Sequence, residues 1–395
     1  MVIGFDGSRA FIENRTGTEN YSYQLLKHLA KIDKKNSYIV YVRPKTVILN
    51  LSKTDEGSLA RLADALAKRA NARTFKWPGN FKFITISWPR LWTQGGLAIQ
   101  TFKDNLDVLF VPSHTLPLIR RQGLKTVITV HDLGSQFLPA THQLKQRLYL
   151  SFIQRYQLKT ATRIIAVSKA TKLDLINKIG IDEDKISIVY EGYNKELFND
   201  TKGNSLRQYF LFVGTVQPRK NLERIIRAFS SLLSAVRQKT DMSDDRRLMT
   251  DDYSLVIAGS KGWLSDEIYT LPKRLGIEGR VKFLGYVPDR DLPKLYKGAI
   301  ALVFPSLFEG FGLPILEAQA CSCPVITSNL SSMPEVAGQG AILINPYNIE
   351  DITNAMIRVR EKALRVKLIK QGLQNVKRFN WEKCAKETLK VLENV

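Results

Sequence analysis

FPSLFEGFGLPILEAQACSCP, residues 304–324, reads as the end of a buried strand, a glycine-bearing loop and a helix start. The apolar run 299–304 closes at Pro305, the loop carries Glu309, Gly310, Phe311 and Gly312, and 313–321 has the composition of a helix. Pro314 falls in the first helical turn, where its missing N–H matters little. A glycine-flanked helix start leaves backbone N–H groups unclaimed and turns the positive end of the helix dipole outward, which describes an anion site. Glu309 in the loop and Glu317 in the helix stand beside it, eight positions apart. Carboxylates only accept hydrogen bonds, so the pair suits the hydroxyls of a ligand, and the helix start suits its phosphates. A nucleotide sugar carries both.

The surroundings of this stretch repeat its logic. Short apolar runs at 209–213, 254–258, 281–284, 300–304, 325–327 and 341–344 alternate with helical patterns, as strands buried on both faces do. The first half has a similar series at 2–5, 38–42, 81–86, 108–111, 126–130, 163–167 and 186–190. Helical stretches are expected at 20–31, 58–73, 141–159 and 168–179, the last with Ser168 as N-cap. Between the series, 191–207 (EGYNKELFNDTKGNSLR) loses apolar periodicity and reads as a linker, and the polar insertion 238–252 reads as a surface loop. The expected fold is α/β, two Rossmann-like doubly wound lobes facing a central cleft.

A chain of 395 residues exceeds one ordinary core, which agrees with two lobes. No apolar run approaches the roughly eighteen residues of a membrane span, and MVIGFDGSRAF lacks the pattern of a secretory signal, so a cytoplasmic protein is expected. Cys321, Cys323 and Cys384 form neither a disulfide framework nor a zinc pattern. The formal net charge of +22 narrows the partners to nucleic acid, an anionic membrane surface or anionic substrates.

Several residues outside the opening stretch are candidates for chemistry. After the strand 209–213 come Gly214 and, in a short turn before a helix, Arg219 and Lys220, two adjacent cations where α/β sheets bind ligands and where a diphosphate needs neutralising. Gly259 opens a second glycine loop, Gly259-Ser260-Lys261-Gly262-Trp263. In the first half, His131 follows the strand 126–130. It either donates a hydrogen bond to a sugar hydroxyl or phosphate, or is a structural histidine fixed in one tautomer. Gly17, in Arg15-Thr16-Gly17-Thr18, is either a small anion-accommodating turn or plain helix capping. None of His28, His114, His131 and His142 forms a metal-type pair, and the Asp182/Asp184 and Asp289/Asp291 pairs read as caps in polar turns, so no metal is expected.

Taken together, GTVQPRKNL (214–222), AGSKGWL (258–264), the stretch 304–329 and MPEVAG (333–338) resemble the nucleotide-binding lobe of retaining glycosyltransferase family four, of the GT-B fold. TGTENYSYQLLKHL (16–29), PRLWTQ (89–94), DVLFVPSHTLPL (107–118) and TVHDL (129–133) extend the resemblance over nearly the whole chain. It implies an acceptor-side lobe at 1–195, a nucleotide-sugar lobe at 196–377 and a C-terminal helix at 378–395 crossing back to the first. It further implies that Arg219 and Lys220 hold the donor diphosphate and that Glu317 binds the ribose hydroxyls. Glu309 with the backbone from Gly310 through Phe311 and Gly312 to Leu313 would hold the transferred sugar. The Gly259 loop would belong to the donor site, and His131 and the Gly17 turn would address the reacting sugar and phosphate from the first lobe. The GSKGW and TVHDL forms are most similar to mannosyltransferases that use GDP-mannose in surface polysaccharide and lipopolysaccharide synthesis. Two departures stand out: Glu191-Gly192 where many members have Asn-Gly, and Thr215 where some place arginine.

The implied reaction is metal-independent and needs no cofactor beyond the nucleotide-sugar co-substrate. His131, Glu309, Arg219 and Lys220 form its catalytic set, and a glycan or lipid-linked glycan is the acceptor. Helix 58–73, with Leu59, Leu62, Leu66, Arg61, Lys68, Arg69 and Arg73, followed by Phe75, Trp77, Phe81 and Phe83, either suits an anionic lipid surface at the inner face of the cell membrane or packs on the sheet. The rival readings are a UDP-sugar transferase of the same fold, another two-lobed sugar enzyme such as an epimerase or phosphorylase, and a basic nucleic-acid-binding protein.

Overall fold

The computed structural model describes residues 1–12, 17–44, 75–88, 90–113, 115–133, 153, 155–200, 208–240 and 253–395, with the side chains of 238–240 left aside. The expected helix 58–73, most of 141–159 and nearly all of the insertion 238–252 lie outside these residues. The chain divides into two compact units, Met1–Gly192 with Trp381–Val395, and Tyr193–Asn380.

The first unit holds seven strands: β1 Val2–Asp6, β2 Ser37–Val42, β3 Phe81–Thr85, β4 Val108–Val111, β5 Lys125–Val130, β6 Arg163–Ala166 and β7 Ile186–Ile188. They pair in the order β3-β2-β1-β4-β5-β6-β7, all parallel. Period-two alternation buries both faces. Phe110 and Val127 point into one core with Ile3 and Phe5, whereas Leu109, Val111 and Ile128 point into the other. Helix Gly17–Ile32 lays Tyr21, Leu25, Leu26 and Leu29 on the first of these cores. Each such buried apolar side chain stabilises by roughly 1.5–3 kcal/mol. The last helix, Trp381–Glu393, adds Trp381, Cys384, Ala385 and Leu392 to the same core.

The second unit repeats the plan with β8 Tyr209–Val213, β9 Ser254–Ala258, β10 Val281–Gly285, β11 Ala301–Phe304, β12 Val325–Ser328 and β13 Ala341–Ile344. The order is β10-β9-β8-β11-β12-β13, again parallel. β8 and β11 are buried throughout, and Phe212 stacks on Phe304 between them. In both sheets the winding reverses beside the first strand. In the second unit that switch point lies between the carboxyl ends of β8 and β11, where the chemistry-bearing turns begin.

The boundary between the two units, at Gly192 and Tyr193, falls within the expected linker 191–207, where Glu191 is 4% exposed and Phe198, also buried, packs edge-on against Tyr296. One expectation is corrected here. The aromatics Phe75, Trp77, Phe81 and Phe83 do not form a lipid-facing set, because Phe81 is buried and stacks flat on Tyr38 while the other three pack on the first-unit core. The pleat of β3 turns Phe81 and Phe83 to one face of the sheet, and that face is covered.

Candidate functional site

The second-unit site starts at two adjacent strand ends. After β8 the chain passes Gly214 and makes a short turn over Pro218–Lys220. Asn221, in the left-handed region at φ 65°, ends that turn. Its side-chain amide donates to the Pro305 carbonyl at 3.0 Å and the Pro346 carbonyl at 2.7 Å, tying the β8 turn to the loops after β11 and β13. Leu307 N–H donates to the Arg219 carbonyl across the same gap.

These ties bring three charges together. Glu309, 7% exposed, accepts from Lys220 Nζ at 2.5 Å and from Arg219 Nη1 at 3.0 Å, and Arg219 also donates to the Phe308 carbonyl and to Gln217. Burial alone would push the Glu309 carboxyl up, but the charges of Lys220 and Arg219 outweigh it and hold the group below its ordinary value. The cluster is thus a carboxylate between two cations in a nearly dry setting, which fixes all three rotamers. The two cations assigned to a diphosphate and the glutamate assigned to a sugar form one hydrogen-bonded group.

The loop beyond Glu309 is fastened from behind. Ser331 Oγ donates to the Glu309 carbonyl at 2.6 Å, and the buried Ser332 Oγ lies 3.0 Å from that carbonyl and 2.9 Å from the carbonyl of Phe311. The Phe311 side chain is buried and packs edge-on against Phe379, so only its backbone is placed to meet a ligand. Gly312, at φ 105°, turns the chain into helix Leu313–Ala320 with Pro314 in its first turn. One turn on, Glu317 accepts from the buried Tyr296 hydroxyl at 2.8 Å. Burial of the Glu317 carboxyl pushes it up to about 7 despite that hydrogen bond, with Asp289 adding to the rise.

Gly259 has a packing reason of its own. A Cβ there would fall 1.9 Å from the Gly214 carbonyl oxygen, so only glycine lets the loops after β8 and β9 touch. The loops continue as a parallel bridge, with Val216 N–H donating to Ser260 O and Gly262 N–H to Val216 O.

In the first unit, His131 stands at the end of β5. Its Nδ1 lies 3.1 Å from Glu191 Oε1, its Nε2 lies 3.1 Å from the Pro112 carbonyl, and Tyr21 meets the ring edge-on. Burial would lower its affinity for a proton, and the hydrogen bond and charge of Glu191 reverse this, leaving it above the ordinary histidine value. Gly17 opens helix Gly17–Ile32, with Glu19 in the first turn paired to Arg9 at 3.0 Å; Arg15 and Thr16 lie outside the described residues. Among the described residues, no group of three or more His, Cys, Asp or Glu side chains is arranged to hold a metal ion.

The model of glycosyl transferases group 1 matches residues 194–375, and that of glycosyltransferase family 4 matches residues 15–197. O-antigen chain mannosyltransferase B of Escherichia coli is 30% identical over 303 residues, 74% of this chain and 75% of that protein. The chain belongs to glycosyltransferase family 4. O-antigen chain mannosyltransferase RfbU of Salmonella typhimurium is 30% identical over 264 residues, 64% of this chain and 68% of its own. Sucrose-phosphate synthase from Thermosynechococcus elongatus superposes with a TM-score of 0.73 at 18% identity over 100% of this chain and 98% of that one. WaaG, a glycosyltransferase involved in lipopolysaccharide biosynthesis, gives 0.68 at 15% identity over 99% of both. These likenesses show that the glycosyltransferase has the GT-B fold.

In this glycosyltransferase, Asn221, Ser331, Ser332, Tyr296 and Glu191 hold the charged residues and loops in place and carry little signal in the sequence itself. Asn221 had a signal, an asparagine directly before a helix in a tight turn. Glu191 stands out in the sequence only as a departure from the family pattern. Its contact with His131 spans 60 residues, a separation no local pattern reveals.

Proposed function

We propose that the enzyme transfers mannose from GDP-mannose to a hydroxyl of a lipid-linked or polysaccharide glycan, with retention at the anomeric carbon and without a metal. The observation that carries this reading is the Arg219–Lys220–Glu309 cluster at the switch point of the second sheet. As the bond from the anomeric carbon to the diphosphate breaks, negative charge grows on the leaving oxygen. Two preset cations stabilise that state more than the ground state, which is the role a metal would otherwise fill. The acceptor oxygen bonds to the same face of the anomeric carbon, and its proton passes to the departing phosphate oxygen. Glu309 orients the cations and accepts from sugar hydroxyls, and Glu317 accepts from the ribose.

Mannose as the sugar is supported by the O-antigen mannosyltransferases at 30% identity. Peripheral attachment to the inner face of the cell membrane is supported by the net charge of +22, which favours anionic lipid headgroups. Among the described residues no helix is long and apolar enough to cross a membrane.

A thermal-shift screen against GDP-, UDP-, ADP- and dTDP-sugars tests the donor, with selective stabilisation by GDP-mannose expected. Preference for a UDP-sugar would replace that donor, and stabilisation by none of them would remove the reading. Anomeric analysis of the product, with and without a chelator, tests retention and metal independence.

A further inference from the structure

Both ring nitrogens of His131 meet oxygen acceptors. The Pro112 carbonyl cannot donate, so Nε2 must carry a hydrogen to bond it at 3.1 Å. A Glu191 carboxylate likewise only accepts, so Nδ1 must also carry one at 3.1 Å. A neutral imidazole has a single N–H and satisfies one of the two contacts. We propose that Glu191 is a positioning residue that holds His131 as a doubly protonated imidazolium, a fixed positive charge at the carboxyl edge of the first sheet. This rests on the transferase reading above and deepens it: an imidazolium has no lone pair, so His131 takes no proton from the acceptor hydroxyl, and that proton leaves on the departing phosphate oxygen.

The surroundings of the pair support the assignment. Glu191 keeps 5% of its side-chain surface exposed, which strengthens a charge-assisted bond, whereas His131 keeps 14% and so retains an edge that a ligand can reach. Asp132, next in the chain, adds negative charge that favours the cation. From helix Gly17–Ile32 the Tyr21 ring packs on the imidazole, and from the last helix Cys384 lies near enough to sense Glu191. Burial first of all pushes both Tyr21 and Cys384 well up, so neither contributes a competing charge near neutrality. From the segment after β6, Thr171 Oγ1 donates to the His131 carbonyl and holds its backbone.

With four histidines in the chain, the proton count is directly readable. The full-length protein is labelled with 15N-histidine, His131 is assigned with His131→Gln, and both ring nitrogens are followed from pH 5.5 to 9. Two protonated nitrogens at pH 7 are expected, with loss of one proton only above the ordinary histidine range. In Glu191→Gln, which keeps shape and loses charge, that loss should move down by about one pH unit or more. The alkaline limb of kcat against pH with GDP-mannose should move with it, and kcat at pH 8 should fall on the order of 100-fold, the scale for a misplaced group. A singly protonated His131 at pH 7, with the proton residing on Glu191, overturns the proposal. So does a Glu191→Gln enzyme with an unshifted His131 titration or an unshifted pH profile. Failure of GDP-mannose to be used at all would count against the proposed donor, while the nitrogen spectra of the unliganded protein still decide the charge state.

Discussion

Glu309 is the residue on which the second-unit site turns, since it contacts both Arg219 and Lys220. Glu309→Ala, like His131→Ala, is expected to lower turnover far more than nucleotide affinity. Lys220→Ala is expected to harm both, because it removes a cation that the proposed function gives to the diphosphate and half of the Glu309 pairing at once; steady-state kinetics with nucleotide titration checks the split. Glu317 predicts a pH effect of defined sign. Its folded value of about 7 lies above the ordinary carboxyl value of 4.5, so the stability it contributes is full below about 4.5 and is lost as pH rises through about 7. Relative to Glu317→Gln, the wild type should lose on the order of 3 kcal/mol between those limits, read from denaturant unfolding at a series of pH values. At this scale the sequence revealed the charged residues and concealed their partners. Glu309, Arg219 and Lys220 are conspicuous by type and position, but the hydrogen bonds that set their charge states join residues about 90 apart in the chain.

The strand and helix elements were legible because β8 and β11 are apolar throughout and end in glycine or proline. The loops between them were less so, since their geometry depends on what lies behind them. Ser332 shows this, with one hydroxyl within hydrogen-bond reach of two carbonyls of the Glu309–Gly312 loop. Ser332→Ala should destabilise by about 1–3 kcal/mol by removing a buried hydroxyl's hydrogen bonding to the loop, with Ser331 still serving the Glu309 carbonyl, and should raise the KM for the donor as the loop loosens. Melting curves and initial rates check the two effects together. Gly259 shows the reverse case, a glycine that reads as a phosphate loop and is required by contact with Gly214. Gly259→Ala should lower stability by about 3 kcal/mol through overpacking, seen as a lower denaturant midpoint with an unchanged slope.

The whole molecule follows a doubly wound plan twice over, and the order of its strands sets the chemistry at strand ends in each unit. The alternating pattern made that plan readable from the chain, while the ownership of the last helix was implied only by family resemblance, because its amphipathic face names no partner. Trp381, Cys384, Ala385 and Leu392 complete the core that Tyr21, Leu25 and Leu29 begin. A chain ending at Asn380 should therefore keep a cooperatively unfolding second unit and lose fixed tertiary packing in the first, as hydrogen exchange would show. The same arrangement bears on biosynthesis. The opening 192 residues leave the ribosome early, yet the piece that seals them is made only after 193–380, which at roughly 5–20 residues per second is a delay on the order of ten seconds or more. Throughout that interval the first unit lacks the side chains of Trp381, Cys384, Ala385 and Leu392 that complete its core, so its final packing waits on translation of the half that follows.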